Sequence, residues 1–315
     1  MVLKRVLVTG ASGMVGRQVL GHLVENGVGC VATSRTEPAR LPPATPWVPF
    51  DLAQRADASE LDALFGDVDA VVHGGAVVPR NESRPDPRTM IDVNVGATQM
   101  LAAWARTREA PFVFISGAAV YADPEARAIA ETAPTGVNAV GGLYGATKLM
   151  AEMTLIDLAR DGLAVTVLRP TSVYGPGLPA GKMIRNFLET ACRGETIALT
   201  PPTGDRVNLV FAGDVATAVH AALSRAATGV FNIPGDAAHS VREIAEACVR
   251  AARRGDVQLA AGAYDAAPVV RFDADGTLAG ATLGYRPAVS LEDGLRAMLA
   301  DDDARQPVRQ KELLS

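Results

Sequence analysis

The sequence has few of the residues that crosslink a chain or hold a metal ion. Only three of its 315 residues are cysteine, and Cys30, Cys192 and Cys248 lie far apart without the spacing of metal ligands. An odd number of separated cysteines fits a protein kept in a reducing compartment. The four histidines are also dispersed. We therefore expect neither a disulfide framework nor a metal site.

Long apolar runs and an excess of positive charge are missing as well. No apolar run approaches the roughly 20 residues that span a bilayer, and Val6-Leu7-Val8 is too short for the core of a signal peptide. The formal net charge is -5, and the Lys and Arg residues are scattered, which argues against a basic surface for nucleic acid. We expect a cytoplasmic protein that binds a small-molecule substrate, and neither nucleic acid nor a membrane.

The first half of the chain alternates short β-branched runs with amphipathic stretches. This alternation is typical of βαβ units around a parallel sheet. The pattern predicts an α/β fold, namely a Rossmann-type doubly wound parallel sheet with a smaller C-terminal substrate-binding lobe. Strands are predicted over residues 5–9, 29–33, 47–50, 70–73, 112–116 and 164–169.

The pattern loosens after about residue 175 into Pro- and Gly-rich loops with isolated helices. A dinucleotide-binding domain is predicted over residues 1–174, with a returning segment at about 205–235. The substrate-binding lobe is predicted over 175–204 and 236–300. Residues 301–315 form a polar C-terminal tail that we expect to be frayed.

A glycine-rich turn follows the first predicted strand and precedes an amphipathic helix. The run Thr9-Gly10-Ala11-Ser12-Gly13-Met14-Val15-Gly16 places glycines three residues apart. Glycines at the first two positions permit a tight turn and close approach of the backbone to a pyrophosphate, and the third allows helix and strand to pack closely. This motif predicts a dinucleotide site that includes Gly10, Ser12, Gly13, Met14 and Gly16.

The end of the second strand bears on which dinucleotide binds. NAD-binding folds place a carboxylate there for the ribose hydroxyls, whereas this chain reads Ala32-Thr33-Ser34-Arg35. Ser34 can donate a hydrogen bond to a 2′-phosphate and Arg35 can pair with it, which favours NADP over NAD. The alternative is that Arg35 is a solvated loop charge.

Two further loops are predicted to touch the cofactor. Asp51 and Leu52 follow the third strand, where a carboxylate and a neighbouring backbone group can bond adenine. The small residues Gly74, Gly75 and Ala76 follow the fourth strand and would let the backbone approach the dinucleotide.

Tyr144 and Lys148 lie four residues apart, so one turn of a helix places a phenol and an ammonium on the same face. A fixed cation favours the phenolate and moves proton transfer by the tyrosine toward neutral pH. The same spacing also occurs where a ring packs and an amine is solvated. The pair gains meaning because a dinucleotide site precedes it.

The chain resembles the extended short-chain dehydrogenase/reductases, the NAD(P)-dependent epimerase/dehydratase group. The resemblance rests on the glycine turn, the stretch after the fourth strand, Asn94, the Tyr144/Lys148 pair and the runs at 168–177, 230–233 and 283–287. It implies that Tyr144 exchanges a proton with a substrate hydroxyl or carbonyl and that Lys148 holds the nicotinamide ribose. It also implies that Asn94 is a catalytic-site residue that braces the helix, and that Asn94, Tyr144 and Pro170 border the cofactor together with Lys148.

The third catalytic group of this family is a Ser or Thr four residues before a Tyr, and here that position is Gly117. Ser116 lies one residue earlier, where an extended strand turns its side chain to the opposite face. It reaches the substrate only if the strand has already ended and the backbone turns. Two interpretations stay open, a catalytic Ser116 and a purely structural one.

Substrate recognition also departs from the family pattern. Ser172 stands where members acting on nucleotide sugars often carry Asn, and Arg206 lies one residue before the usual position of an Arg that binds the diphosphate. Arg206 and Lys182 are the candidate anion-binding groups, with a surface charge as the alternative for each.

The predicted function is that of an oxidoreductase or epimerase acting on a hydroxyl or keto carbon, most simply of a nucleotide-linked sugar. The alternatives are a reductase of a non-nucleotide ketone or lactone, and a catalytically impaired NADP-binding regulatory protein, which Gly117 motivates. Dehydration is disfavoured because Ala118 and Ala119 stand where related dehydratases carry acids. The helices near 95–106 and 144–159 carry apolar residues on more than one face, and with the resemblance they predict a homodimer.

Overall fold

A computed structural model describes residues 3–79, 85–260 and 268–312, with side chains up to Asp302. The strands in chain order are β1 (Val6–Thr9), β2 (Cys30–Ser34), β3 (Trp47–Pro49), β4 (Ala70–His73), β5 (Phe112–Ile115), β6 (Val165–Pro170), β7 (Ser172–Tyr174), β8 (Thr196–Leu199), β9 (Arg206–Phe211), β10 (Gly229–Ile233), β11 (Ala238–Ser240), β12 (Asp256–Leu259) and β13 (Val270–Arg271).

The helices in chain order are α1 (Met14–Glu25), α2 (Ala58–Phe65), α3 (Pro87–Ile91), α4 (Ala97–Thr107), α5 (Gly142–Arg160), α6 (Met183–Cys192), α7 (Ala212–Ser224), α8 (Val241–Ala252), α9 (Thr277–Leu283) and α10 (Leu291–Glu312). A π-helical turn (Asp92–Gly96) joins α3 to α4, and a 3-10 turn (Ala118–Val120) follows β5.

The central sheet is parallel and has the strand order β10-β6-β5-β4-β1-β2-β3. Its direction of winding reverses at β1, which lies between β2 and β4. In doubly wound sheets, ligands bind at the carboxyl ends of the strands beside such a reversal. The predicted Rossmann-type fold is confirmed, and each predicted strand is present with ends that differ by at most one residue.

Helices cover both faces of this sheet. On one face α1, α7 and α9 bury residues such as Leu20 and Val219 against the strands. On the other face α2, α4 and α5 do the same with residues such as Trp104 and Leu155. Near-continuous apolar strands such as Val6–Thr9, buried at every position, follow from coverage on both faces.

A smaller sheet lies outside this frame and joins β11, β9 and β13, with β7 paired to β9. The segment 205–235, predicted to return to the dinucleotide-binding domain, therefore contributes to both sheets: β9 belongs to the small sheet and β10 to the central one. β7 also leaves the central sheet, although it falls inside the predicted 1–174 unit. Between α6, α8 and α10 lies a separate apolar core that includes Leu188, Ile244 and Leu295.

The C-terminal helix differs from the expectation for the chain end. The polar residues from 301 onward were predicted as a frayed tail, whereas α10 continues to Glu312. Across the described residues, none of the helices combines the length and apolar character needed to cross a membrane.

Candidate active site

The glycine turn after β1 has no room for side chains at two positions. Gly10 has φ of +69°, and a Cβ there would lie 2.7 Å from the backbone N of Gly75. A Cβ on Gly16 would lie 2.2 Å from the Gly10 carbonyl oxygen. The helix α1 begins directly after Gly13, so its free N–H groups open onto this turn. The cradle fits a pyrophosphate, which approaches backbone N–H groups at a helix start.

The loop after β4 packs onto the same turn. The Gly75 N–H donates to Thr9 Oγ1 at 3.1 Å, and a Cβ on Gly75 would lie 2.4 Å from Leu52 Cδ1. The structure thus brings together Gly10, Gly75 and Leu52 from three separate predicted cofactor segments. Asp51, beside Leu52, accepts a hydrogen bond from the Ala53 N–H at 3.0 Å.

The remaining predicted cofactor residues border these turns. Ser12 is exposed at the tip of the glycine turn, while Met14, Gly74 and Ala76 are half-buried around it. The sheet edge therefore gathers the glycine turn and the β4 loop in one place.

His73 ties the cradle to the helix layer. Thr98 donates its hydroxyl hydrogen to the Asn94 carbonyl at 2.7 Å, so its oxygen accepts from His73 Nε2 at 3.1 Å. Nδ1 of His73 then accepts from the Thr9 hydroxyl at 2.7 Å. Burial lowers the pKa of His73 to about 3, and the nearby Lys148 charge adds to the effect. The imidazole is therefore neutral and structural at physiological pH.

At the end of β2, Ser34 is hydrogen-bonded within the protein and Arg35 is accessible to a ligand. Ser34 is buried, donates its hydroxyl to the Thr36 carbonyl at 2.7 Å and accepts from Trp47 Nε1 at 3.2 Å. Arg35 is exposed beside it. The guanidinium is therefore accessible to a phosphate, whereas Ser34 would first have to release the Thr36 carbonyl before donating to one.

Helix α5 buries a face that carries two charged residues, Lys148 and Glu152. Charged side chains are seldom fully buried unless they are paired. Lys148 Nζ donates to the Ile115 carbonyl at 2.8 Å and lies 4.6 Å from the centre of the Phe114 ring. The ammonium is thus held at the carboxyl end of β5, at the same sheet edge as the glycine turn.

Burial sets the protonation of the Tyr144/Lys148 pair. It lowers the pKa of Lys148 to about 8, against the opposing effect of the Glu152 carboxylate. It also raises the pKa of the half-buried Tyr144 to about 12. Without ligand, Tyr144 therefore holds its proton and Lys148 is a cation below about pH 8.

Asn94 links the β4 loop to the helix α5. Its Oδ1 accepts from the Val77 N–H at 2.7 Å, and its Nδ2 donates to the Val77 carbonyl and to Thr147 Oγ1, both at 3.0 Å. Thr147 in turn donates to the Tyr144 carbonyl at 2.8 Å. Asn94 lies in the π-helical turn, a local distortion that is frequent at functional sites.

Ser116 does not face the site in the way a catalytic hydroxyl requires. Strand β5 ends at Ile115, yet Ser116 remains 5% exposed and donates its hydroxyl to Oε1 of Glu152. The hydroxyl is therefore directed at the buried carboxylate, which attracts it. This geometry corresponds to the structural interpretation of Ser116.

Sequence reasoning missed the buried ion pair of Glu152 with Arg169. The Arg169 Nη2 lies 2.6 Å from Glu152 Oε2, and its Nη1 donates to the Tyr121 hydroxyl and the Glu131 carbonyl, both at 3.2 Å. The Tyr121 hydroxyl donates to Asn232 Oδ1 at 2.6 Å. The signal in the sequence was a carboxylate four residues after Lys148 on the same helix face.

The predicted substrate-binding residues are spread around the small sheet. Ser172 is half-buried in β7, and Lys182 is half-buried immediately before α6. Arg206 is engaged elsewhere, because its guanidinium donates to the Ala238 carbonyl at 2.7 Å and pairs with Glu243 at 2.9 Å. Pro170 ends β6 opposite Gly117.

Across the part of the chain that the structure describes, no group of three acidic, His or Cys side chains could hold a metal ion.

Known proteins are similar to this chain in sequence. The profile of the NAD dependent epimerase/dehydratase family matches residues 6–234. The chain is 24% identical to UDP-glucuronic acid decarboxylase 6 of Arabidopsis thaliana over 313 residues, 98% of this chain and 91% of that protein. It is 38% identical to UDP-glucose 4-epimerase of Azospirillum brasilense over 204 residues, 60% of this chain and 56% of that one.

The fold is also similar to that of enzymes whose structures have been solved. The structure of the Thermus thermophilus UDP-glucose 4-epimerase complex with NAD superposes with a TM-score of 0.79 at 26% identity. That comparison covers 94% of this chain and 98% of the other. The glycine turn, the β4 loop and α5 therefore lie within a fold that this chain shares with the Thermus thermophilus enzyme, whose structure is a complex with NAD.

Proposed function

The chain belongs to the NAD-dependent epimerase/dehydratase family, and from this membership we propose that it is a cytoplasmic NAD(P)-dependent oxidoreductase or epimerase. Its substrate in this proposal is a nucleotide-linked sugar, altered at a hydroxyl or keto carbon. The relatives named above act on UDP-sugars according to their names. Their substrates support the proposed class, and the identity of the sugar stays open.

The observation that carries the proposal is the position of Lys148. Its ammonium bonds to the Ile115 carbonyl at the end of β5, two strands from the glycine turn at the end of β1. Tyr144 lies one helical turn before it, so a dinucleotide held at Gly10 and Gly75 would extend toward both side chains. A fixed phenol and ammonium beside a nicotinamide is the arrangement that proton transfer coupled to hydride transfer needs.

The chain's own residues would hold the cofactor and move one proton. The turn at Gly10, Gly13 and Gly16 would bind the pyrophosphate, and Lys148 would bind the nicotinamide ribose. When bound, the dinucleotide supplies the hydride donor or acceptor. Tyr144 gives its phenolic proton to a substrate carbonyl oxygen or takes one from a substrate hydroxyl, and the Lys148 cation favours the phenolate in the second case.

The direct test combines cofactor content with turnover. The wild-type protein and Tyr144→Phe are titrated with NAD(P)H and assayed with a panel of nucleoside diphosphate sugars. We expect the same cofactor affinity for both and a loss of turnover of roughly 10²-fold or more in the variant. Turnover that survives in Tyr144→Phe would contradict the proposed role of the phenol.

The fate of the cofactor separates the two reaction types. An epimerase keeps its dinucleotide through the cycle, so the purified and then denatured protein should release about one equivalent. An oxidoreductase exchanges it and should need added cofactor. Thermal protection by nucleoside diphosphates tests the substrate class, and no protection by any of them would favour the non-nucleotide ketone or lactone.

We propose NADP rather than NAD as the preferred dinucleotide. No carboxylate ends β2, and the exposed Arg35 can pair with a 2′-phosphate. The Thermus thermophilus structure holds NAD, which weighs against this preference. Dissociation constants of NADPH and NADH, measured side by side by fluorescence titration, decide between them.

We also propose that the protein is a homodimer. Large apolar residues are exposed along α5 and at the end of α3, namely Ile91, Leu143, Met150, Met153 and Ile156. Met153 is 63% exposed, and several exposed large apolar side chains on one helix favour a protein interface. The apolar residues of α4 are buried or half-buried, so the proposed contact rests mainly on α5. Light scattering that gives only a monomer at micromolar concentration would contradict it.

A further inference from the structure

The side chain of Asn138 joins the loop before α5 to the turn after β5. Its Nδ2 donates to the Ala119 carbonyl at 3.0 Å and to the Tyr121 carbonyl at 2.6 Å. Its Oδ1 accepts from the Gly141 N–H at 2.6 Å. Because carbonyls only accept and an N–H only donates, these partners fix the orientation of the amide, and both of its hydrogens are used.

The start of α5 depends on this residue, because the helix begins without a side-chain cap. Its N-cap is Gly141 and its first helical residue is Gly142, which has φ of +51° and nothing within 4 Å of a Cβ position. Glycine adopts many backbone conformations, and the first N–H groups of a helix have no partner within it. Here Asn138 supplies both partners, since its carbonyl also accepts from the Gly142 N–H at 2.9 Å.

Tyr144 lies between this anchor and a second one farther along the helix. Lys148, one turn later, is bonded to the end of β5. One residue after Tyr144, the Gly145 N–H donates to the Gly141 carbonyl at 2.9 Å. The helical turn that carries the phenol is thus closed onto the residue whose N–H is held by Asn138.

The Ala119 carbonyl oxygen is the point where α5 meets the turn after β5. A Cβ on Gly141 or on Gly145 would lie 2.5 Å from this oxygen, so the helix reaches it because both residues are glycine. Asn138 donates to the same oxygen. The two glycines permit the close approach and the amide holds it, which together set the distance between the first turn of α5 and the turn after β5.

We propose that Asn138 is a positioning residue for the reaction: it places the phenol of Tyr144 by holding the first turn of α5 on the turn after β5. The inference rests on the proposed function, in which Tyr144 moves the proton. Proton transfer needs heavy atoms within about 2.6–3.2 Å of each other, and a misplacement of about 1 Å can cost about 10²-fold in rate. The dinucleotide cradle at Gly10 and Gly75 lies on other loops and does not depend on this amide.

The kinetic test compares Asn138→Ala and Asn138→Asp with wild type. The aspartate keeps an acceptor for the Gly141 N–H, and a carboxylate is favourable at a helix start, but it cannot donate to the two carbonyls. In both variants kcat for a nucleoside diphosphate sugar should fall by roughly 10²-fold, while KM and the dissociation constant of NADPH stay at their wild-type values. The matched control is Asn26→Ala, which removes a bond to the His22 carbonyl at the end of α1 and should leave kcat unchanged.

Amide hydrogen exchange gives a second readout that does not depend on turnover. In Asn138→Ala, residues 141–145 should exchange roughly 10-fold faster or more, because their start has lost its hydrogen bonds, whereas residues 150–158 should exchange as in wild type. Asn26→Ala should leave both segments unchanged.

Two results would overturn the inference, namely wild-type kcat in both Asn138 variants or wild-type exchange of residues 141–145 in Asn138→Ala. A fall in kcat that comes with an equal weakening of NADPH binding would also overturn it, because the residue would then support the fold as a whole. If the wild-type protein neither binds NAD(P)H nor turns over any nucleoside diphosphate sugar, the proposed function fails, and the exchange experiment still reports whether Asn138 holds the helix start.

Discussion

The hydroxyl of Ser116 and the carboxylate of Glu152 are hydrogen-bonded inside the protein, and Arg169 holds the same carboxylate through Nε at 3.1 Å and Nη2 at 2.6 Å. Lys148 precedes Glu152 by one turn on the same buried face. The end of β5 and the residue after it are therefore attached to helix α5, Ile115 through its carbonyl and Ser116 through its hydroxyl.

Glu152→Gln should strongly destabilise the protein. The change leaves the buried Arg169 guanidinium without its counter-charge, and breaking a buried pair in this way costs about 3–5 kcal/mol. Urea unfolding measures the loss. The control Glu189→Gln removes one of the two carboxylate partners of the more exposed Arg185, Glu189 and Asp302, and should cost about 0–1 kcal/mol. Equal losses in both variants would show that burial of the first pair does not matter.

Ser116→Ala should affect stability more than catalysis. It removes one hydrogen bond to a charged group, which contributes about 1.5–3 kcal/mol. Because the hydroxyl is bonded to Glu152 and not directed at the substrate, kcat should stay close to wild type. The removal of a true oxyanion donor costs about 10²- to 10³-fold in kcat, and a loss of that size would restore the catalytic interpretation. Steady-state assays beside urea curves separate the two effects.

Cofactor affinity should fall above about pH 8. Burial lowers the pKa of Lys148 to about 8, so the cation that would hold the nicotinamide ribose is present below this pH and lost above it. Fluorescence titration with NADPH between pH 6.5 and 9.5 should show that the dissociation constant increases once the pH exceeds the pKa of Lys148. In Lys148→Met the affinity should be weak and independent of pH. A flat profile in wild type would contradict the assignment.

Stability should fall as the pH drops from 6.5 toward 3, because of His73. Burial lowers the folded pKa of this ring to about 3 from an ordinary 6.5. Within that window the unfolded chain binds a proton that the folded protein excludes, so stability declines by about 1.4 kcal/mol per pH unit.

The acid effect is measured by unfolding at several pH values. In His73→Gln, the number of protons taken up on unfolding between pH 6.5 and 3, given by the slope of the unfolding free energy against pH, should be smaller by nearly one. The same change at the half-buried His239 on β11 should keep most of the wild-type slope. If both variants keep the wild-type slope, acid instability originates in other groups.

Sequence patterns predicted the parallel sheet and the tight glycine turn after β1 well because the requirements of both are local. Gly10 is required by its positive φ and by close backbone contact, and buried strands such as β5 are continuous apolar runs. The direction of the Ser116 hydroxyl depended on Glu152, which is 36 residues away. Arg206 likewise bonds to the Ala238 carbonyl and pairs with Glu243. These residues are more than 30 positions away in the sequence, so a local pattern does not predict the contacts.

The end of β2 offers a sharp test of dinucleotide preference. Arg35→Glu places a carboxylate where a 2′-phosphate would lie, so NADPH affinity should fall by roughly 10- to 100-fold, about 1.4–2.8 kcal/mol, from lost pairing and added repulsion. NADH lacks this phosphate, and its affinity should change little or improve. Arg40→Glu, a control for charge on the same loop, should affect both cofactors equally. If Arg35→Glu weakens NADH and NADPH alike, Arg35 does not read the phosphate and the preference for NADP fails, because Ser34 is already bonded to Thr36 and Trp47.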